Sequence, residues 1–207
     1  MATTTTNYGF DIPQSTDLVK DGATAIATLG QDIDTAMNTA LGTKKAMGVL
    51  ISSTSFSGVA SQSVNDVFSA TYDNYMIQLF FKNTVGQSYT GLRYRVAGAD
   101  DTSAVYDQRT IYNSNGSLGN TDFANATSTR ISYGDNNGNY HIIHISRPFI
   151  ADKTYIKVAS SNNDGANAFY SEDYQGVFQN ATSFTGFTIF PAANNITGSV
   201  SVYGLAK

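Results

Sequence analysis

A change of hydrophobic period near residue 42 limits what this chain can fold into. Before it, Val19, Gly22, Ile26, Leu29, Ile33, Ala36 and Ala40 recur at alternating steps of three and four, which is a heptad seam. After it the period is two. Tyr75, Ile77, Leu79 and Phe81 fall on one strand face, with Met76, Gln78, Phe80 and Lys82 on the other. Leu92, Tyr94 and Val96 alternate with Arg93, Arg95 and Ala97, and 140–147, 154–159, 184–190 and 198–203 continue the series. Weaker runs lie at 47–52, 63–68, 108–112, 130–133 and 174–178, separated by turn clusters at 113–119, 134–139 and 160–167. Eight to ten strands with no helical period between them predict a mainly β chain. The expected fold is an antiparallel, jelly-roll-like β-sandwich preceded by one N-terminal α-helix.

The helix is expected from about Thr16 to Leu41, with Ser15 or Thr16 as its cap, Asp17 in its first turn, and Gly42, Lys44 and Lys45 at its end. Gly22 and Gly30 each cost about 1 kcal/mol against Ala, and several Thr are β-branched, so the helix is marginal alone. Its seam, at Val19, Ile26, Leu29, Ile33 and Ala36, must be covered either by the following domain or by identical helices in a short bundle. The opening residues have no periodicity. They concentrate Tyr8, Phe10 and Ile12 before Pro13, a segment expected to order only on docking. The division expected is an anchoring segment at 1–15, a helical oligomerisation stem at 16–41 and a sandwich head at 42–207.

Charged residues make up 14% of the chain against about 25% in an average domain, and Thr, Ser and Asn take about three residues in ten. The net charge of −4 resides wholly in residues 1–40, and no Lys/Arg cluster is present, so nucleic acid is not an expected partner. There is no secretory-signal pattern and no apolar run long enough for membrane insertion. Without cysteine there is neither a disulfide framework nor thiolate chemistry.

The kit for catalysis is poor: two histidines, a single glutamate (Glu172) and no tryptophan. His141 and His144 have metal-like spacing, but residues three apart on a strand point to opposite faces, so no metal and no cofactor are expected. The stretches 135–139 and 162–165 carry the oxygen ligands of a calcium loop without its remaining spacing, and read as plain turns. Asp100–Asp101 and Glu172–Asp173 are adjacent acids, which a strand directs apart rather than into one hydrolytic cleft. No nucleophile elbow or phosphate loop occurs, and the expectation is a protein that is not an enzyme. Loops rich in Tyr and Asn offer stiff aromatic faces and two-way hydrogen bonding, which places the expected binding surface at Tyr112, Asn115, Asn137, Tyr140 and Asn163.

The opening Asn7-Tyr-Gly-Phe-Asp-Ile-Pro13, followed by 17–23 and 26–34, resembles the N-terminal segment of tailed-bacteriophage tail-fibre and minor tail proteins. The later Phe56-Ser-Gly, Val67-Phe68 and Tyr72-Asp-Asn-Tyr75, closing with 196–204, is similar to β-rich domains at the ends of such proteins. The resemblance implies a virion structural protein made in the host cytoplasm: a homotrimer whose N-terminus binds baseplate, tail or capsid proteins. Its head would attach to a host cell-surface glycan or protein, as a short tail fibre or tail-tip receptor-binding protein. A head fibre or capsid decoration protein is the alternative, and a polysaccharide depolymerase a more distant one. No catalytic residue is carried over.

Overall fold

The computed structural model describes residues 3–6, 8–12, 19–43, 48–114, 116–163 and 169–205. The chain divides into two compact units, Met1–Ala46 and Met47–Lys207.

In the first unit the strands β1 (Thr3–Thr4) and β2 (Asp11–Ile12) pair antiparallel, followed by the helix α1 (Val19–Thr43). The segment expected to be unordered is therefore a hairpin. Gly9 takes the left-handed conformation (φ 68°) that closes the turn, and its amide donates to Thr5 O at 3.0 Å. Thr5 N–H donates to Phe10 O at 2.9 Å, and Phe10 N–H returns a bond to Thr5 Oγ1 at 3.0 Å. The Tyr8 and Phe10 rings stack at 5.6 Å and, with Ile33, Ala36, Met37 and Ala40, line an apolar cavity of about 200 Å³. The threonines of α1 are accommodated by back-bonding: Thr28, Thr35 and Thr39 donate to Thr24 O, Gln31 O and Thr35 O. The expected cap at Ser15 or Thr16, with Asp17, and the basic end at Lys44 and Lys45 lie outside the described residues.

The second unit is an antiparallel β-sandwich. Its strands are β3 (Val49–Val59), β4 (Gln62–Val64), β5 (Asn74–Asn83), β6 (Ser88–Val96), β7 (Ala99–Asp100), β8 (Tyr106–Ser114) and β9 (Ser117–Ala126). They continue with β10 (Thr129–Gly134), β11 (Asn139–Ser146), β12 (Asp152–Asn163), β13 (Phe169–Thr182), β14 (Gly186–Pro191) and β15 (Ile196–Leu205). The large sheet runs β3-β15-β5-β11-β12-β13-β8-β9 and the small one β10-β6-β14-β4, with β7 on β6. Setting aside β7 and the hairpins β8–β9 and β12–β13, eight strands remain. In chain order the first, eighth, third and sixth pair in one sheet, and the second, seventh, fourth and fifth in the other. That is jelly-roll order. The two hairpins widen the large sheet beyond the small one.

The core follows from the period-two pattern. Tyr75, Ile77, Leu79 and Phe81 of β5 are fully buried, as are Leu92 and Tyr94 of β6 and Phe187 and Ile189 of β14. Tyr94, Tyr106, Phe178 and Phe184 form an aromatic cluster, with Tyr94–Phe184, Tyr106–Phe178 and Phe178–Phe184 centroids at 4.7, 4.9 and 4.9 Å. The Tyr106 hydroxyl accepts from Tyr94 N–H (3.1 Å) and donates to Asp101 O (2.9 Å), so its burial leaves no orphan group. The run 63–68 does not stay in one strand. Asp66 is left-handed (φ 55°), and Val67 and Phe68 amides turn instead to Thr185 O.

Candidate binding cleft

Because β8, β9 and β13 reach past the edge strand β10, part of the large sheet's inner face is left open beside that edge. A cleft of about 90 Å³ forms there, with Thr110, Glu172 and Tyr174 buried at its floor. Tyr112, Phe123, Arg130 and Tyr170 form half-buried walls, and Tyr89 and Thr121 an exposed rim. Register explains the grouping. Tyr112 pairs with Glu172, and Thr110 pairs with both Tyr174 and Thr121, so these side chains share one face. Tyr133, just outside the lining, links the wall and rim tyrosines through ring contacts. Tyr112–Tyr170, Tyr170–Tyr133 and Tyr133–Tyr89 centroids lie 5.9, 6.1 and 4.5 Å apart.

Gly119, opposite Tyr112 on β9, is required by that ring. A Cβ there would fall within the Tyr112 phenol, 2.7 Å from Cε2 and closer to Cζ and the hydroxyl. Gly119→Ala is expected to expel the Tyr112 ring and break its stack on Tyr170. With no tryptophan in the chain, the near-UV circular dichroism should lose tyrosine signal while the far-UV β signature stays. An unchanged near-UV spectrum would show that the ring does not hold this position.

Arg130 is fixed by its backbone. The buried Gln108 amide donates to Arg130 O at 2.8 Å and accepts from Arg130 N–H at 2.7 Å, tying β10 to β8. Its guanidinium lies between two rings, 3.9 Å from the Tyr89 centroid and 4.1 Å from that of Phe123. It makes no hydrogen bond to any described residue, so its N–H edge is available. Glu172 is 6% exposed. Its Oε2 accepts from Tyr133 N–H at 2.8 Å and Asn162 Nδ2 at 2.9 Å, and Asn162 Oδ1 accepts from Ser132 Oγ at 3.2 Å. Burial pushes the Glu172 carboxyl up; its two amide donors and the Arg130 charge partly counter this. Burial, with Glu172 next, pushes the Tyr170 hydroxyl up to about 12. Among the described residues, the ion pairs do not include one between Arg130 and Glu172. The cleft thus holds a donor-only group and an acceptor-only group with space between them.

The residues expected to form one binding surface do not come together. Tyr112 belongs to the cleft, whereas Tyr140 stands on the opposite, outer face of the large sheet beside Phe80. Asn137 sits in the β10–β11 turn, where its amide donates to Asp135 Oδ1 at 2.7 Å, and Asn163 ends β12 opposite Phe169. Asn115 lies outside the described residues. The 135–139 stretch is a side-chain-closed turn: Asn139 Nδ2 donates to Asp135 O and Phe81 O at 2.9 and 3.2 Å. His141 is buried and His144 exposed on the opposite face, so they share no ion. Glu172 and Asp173 likewise diverge, the latter pairing with Lys157 at 3.5 Å on the outer face. Of the expected stem residues, Ile26 and Ile33 are exposed and Leu29 and Ala36 half-buried in their unit. Val19 begins the helix.

Tyr89, Phe123, Arg130, Glu172 and Tyr174 were not expected as site residues. The signal for two of them is Tyr170-Ser-Glu-Asp-Tyr174, where period two sets the single glutamate between two tyrosines on one strand face. No protein-family model matches the chain, and comparison with curated protein sequences finds no match. Among solved structures, the chain is similar to the galectin LEC-6 of Caenorhabditis elegans, at 11% identity and a TM-score of 0.31, over 76% of this chain and 96% of that one.

Proposed function

We propose that this chain is a structural and adhesive protein of a bacteriophage particle. Its helical unit self-associates as a homotrimeric stem, its N-terminal hairpin docks on other virion proteins, and its sandwich is the head that contacts the host surface. One observation carries the reading. Within its own unit, α1 leaves Ile26 66%, Ile33 39% and Met37 57% exposed along one helix face. A helix of 25 residues whose face stays this exposed, even with the hairpin's Tyr8 and Phe10 beside Ile33 and Met37, gains little from its own unit and needs a partner. Gly22 and Gly30 support the same conclusion, since a Cβ at either would meet no atom within 4 Å. Their cost to the helix is not repaid by packing inside the unit, whereas close approach of a second helix would use it. The choice of three copies and the placement on a virion come from the family resemblance.

Ile26→Asp is the clean test, because in an isolated unit this exposed side chain contributes almost nothing to stability. Multi-angle light scattering at micromolar concentration should give a trimer for the parent chain and a monomer for the variant. The far-UV spectrum of the sandwich should be the same in both. A monomeric parent, or a variant that stays trimeric, would overturn the stem. Immunogold labelling of purified particles addresses the virion reading, and a protein absent from them would overturn it.

A further inference from the structure

We infer that the cleft between Tyr89, Tyr112, Arg130 and Glu172 binds one neutral sugar residue through adjacent hydroxyl groups. The inference rests on reading the sandwich as a binding head, and it adds the ligand class and the groups that read it.

The chemistry of the lining selects the class. A guanidinium only donates hydrogen bonds and a carboxylate only accepts them, whereas each hydroxyl does both. A hydroxyl placed between Arg130 and Glu172 can accept from the first and donate to the second, and its neighbour on the ring can repeat this with Thr110 or Thr121. The available guanidinium edge and the buried carboxylate are thereby joined by the ligand, not by each other. The walls suit the rest of a sugar: Tyr112 and Tyr170 present stacked rings to its C–H faces, with phenol hydroxyls at their edges.

Other classes fit worse. An anionic ligand would face the Glu172 carboxylate at the floor, and a cation would face Arg130. An apolar ligand would strip water from Thr110, Thr121, Arg130 and Glu172 without replacing its hydrogen bonds, at a cost that apolar contact in so small a cleft does not offset. At about 90 Å³ the cleft has room for several waters, or for the inserted edge of one ring, and not for an extended chain. The buried glutamate is consistent with such a task. It makes no direct ion pair among the described residues, and its two hydrogen bonds and the Arg130 charge offset only part of the cost of burying it, a cost that structure alone does not require.

The test is saturation-transfer NMR on the full chain, using methyl glycosides of glucose, galactose, mannose and their N-acetylhexosamine counterparts at millimolar concentration. Methyl glycosides of the corresponding uronic acids form a second arm. At least one neutral glycoside should show transfer to its ring protons. Arg130→Gln and Glu172→Gln should each weaken it about tenfold, the cost of a hydrogen bond to a charged group. Tyr155→Ala, on the outer face of the large sheet, should leave it unchanged. If Glu172→Gln fails to fold, Arg130→Gln decides, since its side chain makes no hydrogen bond that the fold needs. No transfer from any neutral glycoside, transfer that survives Arg130→Gln, or transfer confined to the uronic acids would each overturn the inference. Light scattering on the same samples separates this result from the stem: binding lost in an intact trimer condemns the cleft reading alone.

Discussion

Lowering the pH from 7 to 4 should remove about 3 kcal/mol of stability through one side chain, His141, whose pKa burial depresses to about 3. The tautomer follows from its partner. Ser160 Oγ gives its one hydrogen to Ile131 O at 2.8 Å, so at its 2.8 Å contact with His141 Nδ1 it must accept. His141 is therefore neutral with the proton on Nδ1. Its Nε2 is buried without a partner, and its ring stacks on Phe81 at 5.1 Å. Protonation would place an N–H and a full charge where the described residues offer no acceptor. The unfolded chain protonates near pH 6.5 and the folded one only near pH 3, so the contribution is complete above pH 6.5 and drains away as pH falls between these values. Glu172 acts with the opposite sign. Its raised carboxyl pKa means that its contribution is present at low pH and is lost as pH rises through the folded value. The discriminating measurement is urea unfolding of the parent and His141→Phe at pH 7 and pH 4. The variant keeps the ring stack and should lose about 3 kcal/mol less over that interval. Equal losses in the two proteins, or an NMR titration of His141 with a midpoint near 6, would refute the assignment.

That histidine also shows how far periodicity alone reaches. Alternation places His141 and His144 on opposite faces, and the same alternation identifies the buried face of β5. Both are properties of one strand, fixed by the backbone's period of two. What lies between strands is less legible. The sequence shows a turn cluster at 113–119 and no strand pattern at β9, because Ser117 to Ala126 is polar on both sides. As an edge strand it has a neighbour only at β8, and nothing covers most of its residues, so no burial pattern is imprinted on it. The N-terminal hairpin was illegible for a related reason. Its strands are two residues each, too short to show any period, and its order comes from Gly9 and the Thr5–Phe10 bonds.

The cleft sits between these cases. Tyr112 and Glu172 were both singled out on the sequence, the first for its polar loop and the second as the lone glutamate. Nothing local says that Arg130 on β10 and Phe123 on β9 meet them. That meeting depends on hairpins inserted into the jelly-roll order, which carry the large sheet beyond the small one. Tyr140 was grouped with Tyr112 on composition, yet the register runs Tyr140–Ser161–Ser171–Asn113 along the outer face. Its in-register neighbour on β8 is thus Asn113, one residue from Tyr112 and on the other side of the sheet. A shift of one residue is enough to move a side chain between faces.

Replacing Gly198 by alanine should damage the sandwich more than any surface change, by on the order of 4 kcal/mol. This glycine lies in β15, between β3 and β5, where the last strand closes the large sheet against the first. A Cβ there would overlap the Phe80 carbonyl oxygen and approach Phe81 Cα to 2.7 Å. Both are backbone atoms of a central strand, so no rotamer change can relieve the clash. Gly198 pairs directly with Phe81 in an unbroken β15–β5 register, while on its other side the β15–β3 register shifts between Ile196 and Gly198; a glycine inside a strand marks such a close backbone approach. Relief requires β15 to move off β5, which would expose Val200 and Val202, now buried within the core. Thermal unfolding followed by far-UV circular dichroism should show a large fall in the midpoint, or a chain that does not fold. Gly119→Ala, which meets only a side chain, should shift it far less. If Gly198→Ala unfolds with the parent midpoint, β15 does not pack on β5 in this register, and the jelly-roll closure of the large sheet fails with it.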